Sequence, residues 1–363
     1  MRALNATILL MSFLAAGAQT TDTIPSFINT EANVIEGSLP RFHAGLQRLA
    51  EGADTVIHIV HIGDSHIQAE FVTDELRRLL NEKYGDAGRG LMPCLRLAGT
   101  NQSHEYAYTI SDSTALQTRL LKYPWPVRPG FTGIAVEPQQ DATVTFSMPG
   151  RPFNSLTVYT SEGADTLTFA APVDSTAFPI SAHEALYGAF ATNGQPGIIY
   201  SAIGNNGACY TDYGLIRDFP KNVAALKPDL LILSMGTNEG FSTMTDFEIR
   251  RSVRNLVNAL QAFSPKAEIL VLAPMECQRN RRHGLKPLSP DFDINDRVAE
   301  AHDIIVDEAR SLGLAIWDFY PVAGGHGASD KWLDAKLMNR DRIHLVRPGY
   351  VLQARLLFDA LTR

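Results

Sequence analysis

Four short segments of the sequence carry residue types that do chemistry in enzymes. They are Gly63-Asp64-Ser65-His66, Gly204-Asn205-Asn206-Gly207, Gly236-Thr237-Asn238-Glu239 and Asp341-Arg342-Ile343-His344-Leu345. Each segment taken alone has an ordinary explanation as a turn, a helix cap or a surface pair. A serine hydroxyl, however, becomes a nucleophile when an imidazole takes its proton and a third group fixes the tautomer of that imidazole. Together the segments supply all of these parts, and nucleophilic catalysis by serine is the working hypothesis.

Ser65, His344 and Asp341 are the candidate catalytic residues. Asp341 and His344 are three residues apart, and in a helical turn this spacing puts both side chains on one side. The aspartate then accepts a hydrogen bond from Nδ1 of the histidine, while Nε2 faces the serine. We therefore predict Ser65 as the nucleophile, His344 as the general base and Asp341 as the group that orients the base.

Such a reaction also needs donors for the negative oxygen of a tetrahedral intermediate. The predicted donors are the backbone N–H of Ser65, the backbone N–H of Gly204 or of a near neighbour, and the side-chain amide of Asn238. Gly204 has no Cβ that would block a substrate carbonyl. Ser65 also gains from the positive end of the helix predicted to begin near His66, and Asp64 is of a residue type that caps helices.

The predicted strands and helices place these segments at one edge of a sheet. Strands are predicted at residues 55–62, 198–203, 229–235, 268–273 and 314–319, and helices at residues 42–49, 67–84, 245–263, 294–312 and 350–361. Alternation of strands with such helices favours a parallel sheet with helices on both faces. Reactive groups of such sheets lie in loops at the carboxyl ends of the strands. All four segments follow a predicted strand or precede the last helix, so we expect them to meet.

Residues 100–194 differ from the rest of the chain. Ser and Thr are frequent there, Lys and Arg are scarce, and short alternating runs at residues 142–147, 155–159 and 166–170 are separated by Pro and Gly. This texture is typical of short antiparallel strands. We interpret the segment as a β-rich insertion into the α/β unit.

The order of the four segments resembles that of the SGNH (GDSL) hydrolase superfamily, which is named for the Ser, Gly, Asn and His residues that they contain. The resemblance covers roughly residues 54–98 and 196–363. It implies an α/β fold, namely a three-layer α/β/α, flavodoxin-like core with a parallel sheet. The insertion then adds a β-rich domain of sandwich or jelly-roll type.

Within the superfamily the sequence looks closest to the peptidoglycan O-acetylesterase branch. The shared features are the Gly-Asp-Ser-His start, a stretch like residues 84–88, an Asn-Gly-Ala second block, the Gly-Thr-Asn-Glu third block, and Gly-Gly-x-Gly at residues 324–327 followed by Trp332. Many members have Asp-Gly-x-His, whereas here Arg342 follows Asp341. We expect Arg342 to narrow or charge the rim near the site.

Composition argues against several other classes. The chain has 32 Lys and Arg against 39 Asp and Glu, a formal net charge of −7, so we expect neither a nucleic-acid nor an anionic-membrane partner. The usual zinc-protease, Walker A and dinucleotide motifs are missing, so we expect no cofactor and no metal.

Three cysteines, Cys94, Cys209 and Cys277, leave at least one thiol free. Ile67 at the last position of G-x-S-x-G disfavours an α/β-hydrolase.

Other histidines are weaker candidates for the catalytic base. His58 and His61 lie on a strand predicted to be buried, and we expect both to be core or rim residues. His66 either lines the cleft or only begins the helix. His326, in its glycine loop, is the rival of His344 as the base.

The first 18 residues read as a signal peptide, with Arg2, an apolar stretch and small residues before a predicted cleavage after Ala18. The apolar stretch falls short of the ~20 residues needed to span a bilayer, so we expect no membrane span. The predicted organisation is a signal peptide at residues 1–18, a hydrolase core at residues 19–99 and 195–363, and the β-rich domain at residues 100–194. A secreted or periplasmic location follows.

The resemblance implies a secreted serine esterase that removes short acyl groups, chiefly O-acetyl, from a carbohydrate such as peptidoglycan or an acetylated polysaccharide. The partner is then an O-acetylated glycan. Two alternatives stay open: an acyltransferase that passes the acyl group to a sugar, and a non-catalytic glycan-binding protein on the same scaffold. Tyr123, Trp125 and Phe131 of the insertion either face sugar rings or form the core of their own domain.

Overall fold

The computed structural model describes residues 24–280 and 291–363, so the predicted signal peptide lies outside the described residues. The strands, in chain order, are β1 Ile35–Glu36, β2 Val56–Gly63, β3 Asp86–Gly88, β4 Gly90–Pro93, β5 Ala107–Ile110, β6 Leu116–Arg119, β7 Ile134–Glu137, β8 Ala142–Ser147, β9 Phe153–Thr160, β10 Ala164–Val173, β11 Ser175–Ile180, β12 Leu186–Thr192, β13 Gly197–Gly204, β14 Leu230–Ser234, β15 Glu268–Ala273, β16 Gln278–Asn280, β17 Phe292–Ile294 and β18 Ala315–Asp318. The α-helices are α1 Pro40–Ala50, α2 Ser65–Gln68, α3 Phe71–Tyr84, α4 Phe219–Ala225, α5 Thr237–Phe241, α6 Asp246–Phe263, α7 Asp296–Ser311, α8 Phe319–Val322, α9 Ala328–Asp334 and α10 Arg347–Leu361, and a 3₁₀ turn spans Asp212–Leu215.

The predicted α/β core is confirmed. Seven strands form one sheet in the order β1-β18-β15-β14-β2-β13-β3, in which every pairing is parallel except that of the edge strand β1. Gly63 at the end of β2 stands beside Gly204 of β13 and Ser234 of β14. The loops after these three strands therefore leave the same edge of the sheet, as the sequence predicts.

Helices cover both faces of this sheet because the strand side chains alternate between two hydrophobic cores. On β2, Ile57 and Ile59 pack in the core with α1, α3 and α10, and Val60 and Ile62 pack in the core with α4, α6 and α7. All four of these side chains are buried. The result is the three-layer arrangement that the family resemblance implies.

Two antiparallel sheets form the β-rich region. One has the order β10-β9-β12-β7-β6, with β4 also paired to β12, and the other has the order β11-β8-β5. Both contribute to one hydrophobic core, in which the rings of Phe146 and Phe153 lie 5.5 Å apart. The region therefore has its own core, separate from the two around the parallel sheet.

A group of buried charges lies where the parallel sheet gives way to the β-rich region. We call it the arginine cluster and define it as Glu70, Asp74, Arg77, Arg89 and Glu105. Arg89 is fully buried and pairs with Glu70 and, at 2.6 Å from Nε to Oε2, with Glu105. Arg77 pairs with Asp74 at 2.7 Å and with Glu105 at 3.2 Å. The cluster ties α3, the β3–β4 link and the start of the β-rich region together.

One of the predicted helices is in fact two helices. We predicted a single helix over residues 67–84, but α2 ends at Gln68 and α3 begins at Phe71. Glu70 between them has a left-handed backbone, with φ of 58°. Its carboxylate pairs with the buried Arg89, a contact across the fold that local periodicity does not contain.

The three cysteines are buried and unpaired, so Cys94, Cys209 and Cys277 form no disulfide with one another. None of the helices in the described part of the chain combines the length and the apolar character that crossing a bilayer requires.

Candidate active site

Ser65 is presented by a tight turn between β2 and α2. The side chain of Asp64 caps α2 by accepting a hydrogen bond of 2.9 Å from the backbone N–H of His66. Gly63 allows the turn because a Cβ there would lie 2.3 Å from the side chain of Ile67 and 2.6 Å from the carbonyl oxygen of Ser234. Ser65 is thus fixed at the first position of α2 and remains partly exposed.

His344 and Asp341 come from the loop that precedes α10. Oδ1 of Asp341 accepts hydrogen bonds from the backbone N–H of Ile343 at 3.0 Å and of His344 at 2.9 Å, which closes the loop. Oδ2 of Asp341 lies 2.8 Å from Nδ1 of His344. Nε2 of His344 lies 2.8 Å from Oγ of Ser65. The structure therefore places the three predicted residues in one hydrogen-bonded chain, although 279 positions separate Ser65 from His344.

The electrostatics of this chain favour a charged aspartate beside the imidazole. Burial raises the pKa of Asp341, but the hydrogen bonds from His344 and Ile343 outweigh it and lower that pKa to about 2. The hydrogen bond to Asp341 raises the pKa of His344 above its usual 6.5, against the opposing effect of burial. An ionised Asp341 thus strengthens His344 as a proton acceptor.

Asp64 connects the serine turn to the third segment. Its Oδ2 accepts a hydrogen bond of 3.2 Å from the side-chain amide of Asn238, which also donates to the carbonyl oxygen of Ala208 at 3.1 Å. Asp64 is 2% exposed, and burial raises its pKa to about 7. Asn238 is therefore tied to the turn that presents Ser65, and both of its amide hydrogens are engaged.

Gly204 is required for a reason other than the expected one. We expected its missing Cβ to leave room for a substrate carbonyl, but a Cβ there would lie 2.1 Å from the backbone nitrogen of Gln68. Gly204 is buried against α2, whereas Gly207 is exposed, has φ of 85° and would accommodate a Cβ with its nearest contact at 4.0 Å. The neighbour Gly207, rather than Gly204, offers an open backbone at the rim.

A model of the GDSL-like lipase/acylhydrolase family matches residues 175–352. This range contains Asn238, Asp341 and His344, and the structure joins Ser65 to it through His344. Over this range the chain is similar to the GDSL-like lipase/acylhydrolase family. The match and the hydrogen-bonded chain from Ser65 through His344 to Asp341 support a serine esterase of the SGNH type.

Solved structures show how far the fold is shared. A peptidoglycan O-acetylesterase is 21% identical, with a TM-score of 0.72 over 92% of this chain and 97% of that one. A lipase/acylhydrolase from Enterococcus faecalis and an acetyl xylan esterase are each 17% identical, with TM-scores of 0.35 over 46% of this chain and over 76% and 82% of their own chains. No curated protein matches the sequence. The similarity to the peptidoglycan O-acetylesterase covers 92% of this chain, and residues 100–194 make up about a quarter of it. The shared fold therefore includes most of the β-rich region.

The rival histidines His58, His61 and His326, all within the described residues, do not reach Ser65 as His344 does. His58 is buried between the carbonyl oxygen of Leu226, 2.6 Å away, and Oγ of Ser201, 2.8 Å away. His61 is buried against the hydroxyl of Tyr200, so both are core residues as we expected. The side chain of His326 is 76% exposed and lies 3.4 Å from Glu276.

His66 and Tyr350 form a support for the base that sequence reasoning missed. Nδ1 of His66 lies 2.9 Å from the hydroxyl of Tyr350, and the ring of His66 lies 5.1 Å from that of His344. Tyr350 is in α10, and only its spacing of six residues from His344 hints at this contact.

Arg342 turns away from Ser65. Its Nη1 donates to Gln278 at 2.6 Å and to Asp330 at 3.0 Å, and its guanidinium lies 4.9 Å from the centre of the Phe292 ring. Its φ of 58° makes this turn of the loop. Arg342 therefore supports the loop of His344 through contacts with Gln278, Asp330 and Phe292. These contacts do not place its charge beside Ser65, as we had expected.

The three aromatic residues of the insertion have different surroundings. Phe131 is 3% exposed and packs in a hydrophobic core, whereas Tyr123 is 81% exposed. Trp125 donates from its indole nitrogen to the carbonyl oxygen of Leu120 at 2.9 Å and lines a groove of about 580 Å³. Phe131 is thus a core residue, and the other two remain open to a ligand.

Proposed function

We propose that the chain is a secreted or periplasmic esterase that hydrolyses short acyl esters, chiefly O-acetyl groups, on a carbohydrate such as peptidoglycan or an acetylated polysaccharide. The hydrogen-bonded chain from Ser65 through His344 to Asp341 at the open edge of the sheet carries this proposal. The fold shared with a peptidoglycan O-acetylesterase supports the choice of an acetylated glycan. The leader-like first 18 residues support export, since an exported enzyme meets cell-wall or extracellular glycans.

The proposed reaction begins with attack by Oγ of Ser65 on the ester carbonyl carbon. His344 takes the serine proton at Nε2, and Asp341 holds the other ring nitrogen and stabilises the imidazolium. The tetrahedral intermediate collapses when His344 gives the proton to the departing sugar oxygen, which leaves an acyl group on Ser65. Water, deprotonated by His344, then attacks this acyl-serine and releases the carboxylic acid.

The negative oxygen of each intermediate needs donors at the same rim. The backbone N–H of Ser65 lies at the first position of α2, where it has no acceptor within the helix. The backbone N–H of Gly207 is the second proposed donor, in place of Gly204. Asn238 is the third, and it serves when its 3.2 Å hydrogen bond to Asp64 is exchanged for one to the substrate oxygen.

The test compares the mature chain, residues 19–363, with its Ser65→Ala variant. We expect wild type to release acetate from 4-nitrophenyl acetate and from an O-acetylated glycan, and the variant to lose about 10⁴-fold or more of both rates, because the nucleophile is gone. His326→Ala is the matched control, since it removes an exposed histidine whose side chain contacts Glu276.

Equal background rates in wild type and Ser65→Ala would refute the esterase assignment and favour a glycan-binding role. Transfer of the acyl group to an added sugar, in preference to water, would favour the acyltransferase alternative.

A further inference from the structure

A groove of about 770 Å³ lies beside the proposed catalytic chain, which is a size typical of ligand sites. It runs between α3, the start of α10 and residues 96–105, and its lining includes Ala69, Arg96, Asn101, His104 and Arg347. We call it the Arg96–Arg347 groove.

Two residues of the groove lining, Ala69 and Arg347, belong to the segments that carry Ser65 and His344. Ala69, at one end, donates its N–H to the carbonyl oxygen of Ser65 at 3.3 Å. Arg347 follows His344 by three residues at the beginning of α10. The groove is therefore within reach of a polymeric substrate whose ester lies at Ser65.

The carboxylates that line the groove are already paired with arginines. Asp74 pairs with Arg77 at 2.7 Å, and Glu105 pairs with Arg89 at 2.6 Å. Glu75 receives two hydrogen bonds from Arg78, at 2.8 and 2.9 Å. These carboxylates have little capacity left to bind a cation or to neutralise further arginines.

Two arginines of the groove, unlike these carboxylates, have unpaired side chains in the described part of the chain. Arg96 and Arg347 are exposed, and neither side chain forms an ion pair or a hydrogen bond within residues 24–280 and 291–363. His104, also exposed, lies on the same wall. The charge that the groove leaves uncompensated is therefore positive, in a chain whose net charge is −7.

We propose that the Arg96–Arg347 groove binds a carboxylate of the glycan substrate while the acetyl ester lies at Ser65. Guanidinium groups match carboxylates through paired N–H donors, which makes free arginines in a groove suited to this ligand. The inference rests on the proposed function and narrows the substrate from acetylated glycans in general to those that carry a carboxylate near the ester. That carboxylate belongs either to a uronic acid ring or to a peptide attached to the sugar.

The experiment measures kcat/KM for acetate release from matched substrates. One pair is O-acetylated oligogalacturonate, with ring carboxylates, before and after amidation of those carboxylates. The other pair is O-acetylated peptidoglycan fragments, with peptide carboxylates, before and after the same amidation. We expect wild type to prefer the native form of at least one pair by about 10-fold, the size of a charge-assisted contact at an open site. The pair that shows the preference identifies the source of the carboxylate.

The double variant Arg96→Gln/Arg347→Gln should lose this preference and retain full activity on 4-nitrophenyl acetate, which is too small to reach the groove. Arg128→Gln is the matched control, because Arg128 is an exposed arginine of the separate groove lined by Trp125. Salt should reduce the wild-type preference, since exposed charges are screened.

The outcomes separate this inference from the proposed function. Hydrolysis of 4-nitrophenyl acetate without release of acetate from any glycan would overturn the glycan substrate itself. Release from glycans with equal rates on native and amidated forms, or a preference that survives in the double variant, would overturn only the role of the two arginines.

Discussion

The proposed catalytic edge of the parallel sheet and the arginine cluster are five residues apart in sequence, at Ser65 and Glu70, but they use polar side chains in opposite ways. At the edge, Ser65 and His344 are partly exposed and joined by a single hydrogen bond. In the cluster, Glu70, Arg77 and Arg89 are at most 1% exposed, and each of the two arginines pairs with more than one carboxylate.

This difference separates two uses of charge in one fold. A partly open group exchanges its partner for a substrate atom at small cost, because water already competes for it. A buried charge without its partner is costly, so buried pairs hold segments in place. Variants of the polar side chains at the edge should therefore change activity with little change in stability, and variants of the charged side chains in the cluster should do the reverse.

The largest effect is expected for Asp341→Asn at the edge. The amide no longer stabilises the imidazolium and no longer fixes the tautomer of His344, so kcat should fall by about 10⁴-fold, as expected when the aspartate of such a triad is amidated. Urea unfolding should change little. The measurement is acetate release from 4-nitrophenyl acetate by the two proteins at matched concentration of folded protein.

The pH profile sharpens the same prediction. His344 accepts the serine proton only when neutral, and its pKa is raised above 6.5, so kcat/KM of wild type should fall as pH drops through a midpoint above 6.5. The titratable groups around it are Asp341, Asp64 and His66. In Asp341→Asn the hydrogen bond that raises this pKa is lost, and the midpoint should move to lower pH. An unchanged midpoint would show that another group limits the rate.

The next effect is expected for Arg89→Met in the cluster. The substitution leaves Glu70 buried without its guanidinium, and the free energy of unfolding should fall by about 3–5 kcal/mol. Hydrolysis of 4-nitrophenyl acetate per folded molecule should stay near wild type. The double variant Glu70→Gln/Arg89→Met should recover part of the stability, because it removes the uncompensated charge.

Urea unfolding of wild type, Arg89→Met and Glu70→Gln/Arg89→Met checks this prediction. A loss of hydrolysis in Arg89→Met without a loss of stability would break the comparison, since it would place the cluster in the catalytic machinery.

The sequence predicted the edge better than the cluster for a physical reason. Asp64 and Ser65 directly follow a strand, and Asp341 and His344 are neighbours in one loop, so local patterns contain most of the geometry. The one distant contact, Ser65 with His344, follows from the alignment of parallel strand ends. Local pattern and chain order were together enough to predict the chain from Ser65 through His344 to Asp341, but not the contacts of His66, Gly204 and Arg342 around it.

The cluster has no such local signature. Glu70, Arg89 and Glu105 come from three segments whose spacing in sequence says nothing about their pairing. The break between α2 and α3 was missed for the same reason. Apolar residues at helical spacing lie on both sides of Glu70, and nothing in the local pattern marks the helix end. Contacts that depend on how segments pack across the fold need the structure.

The two glycines of the second segment give the smallest effect and test the same distinction within four residues. Gly204→Ala puts a methyl group 2.1 Å from the backbone nitrogen of Gln68, so α2 must shift, and stability should fall by about 3 kcal/mol together with the rate on 4-nitrophenyl acetate. Gly207→Ala meets open space and keeps its N–H, so only its left-handed backbone opposes the change, at about 1 kcal/mol.

Urea unfolding and steady-state hydrolysis of the two variants measure both effects. Because Gly207→Ala leaves the turn of Ser65 undisturbed, it should keep most of its hydrolysis per folded molecule. The reverse order, with Gly204→Ala tolerated and Gly207→Ala inactive, would mean that α2 yields to the added methyl group and that the substrate itself occupies the space beside Gly207. Gly207 would then be needed to leave room for the ligand, and Gly204 would not be needed for the packing of α2, which carries Ser65.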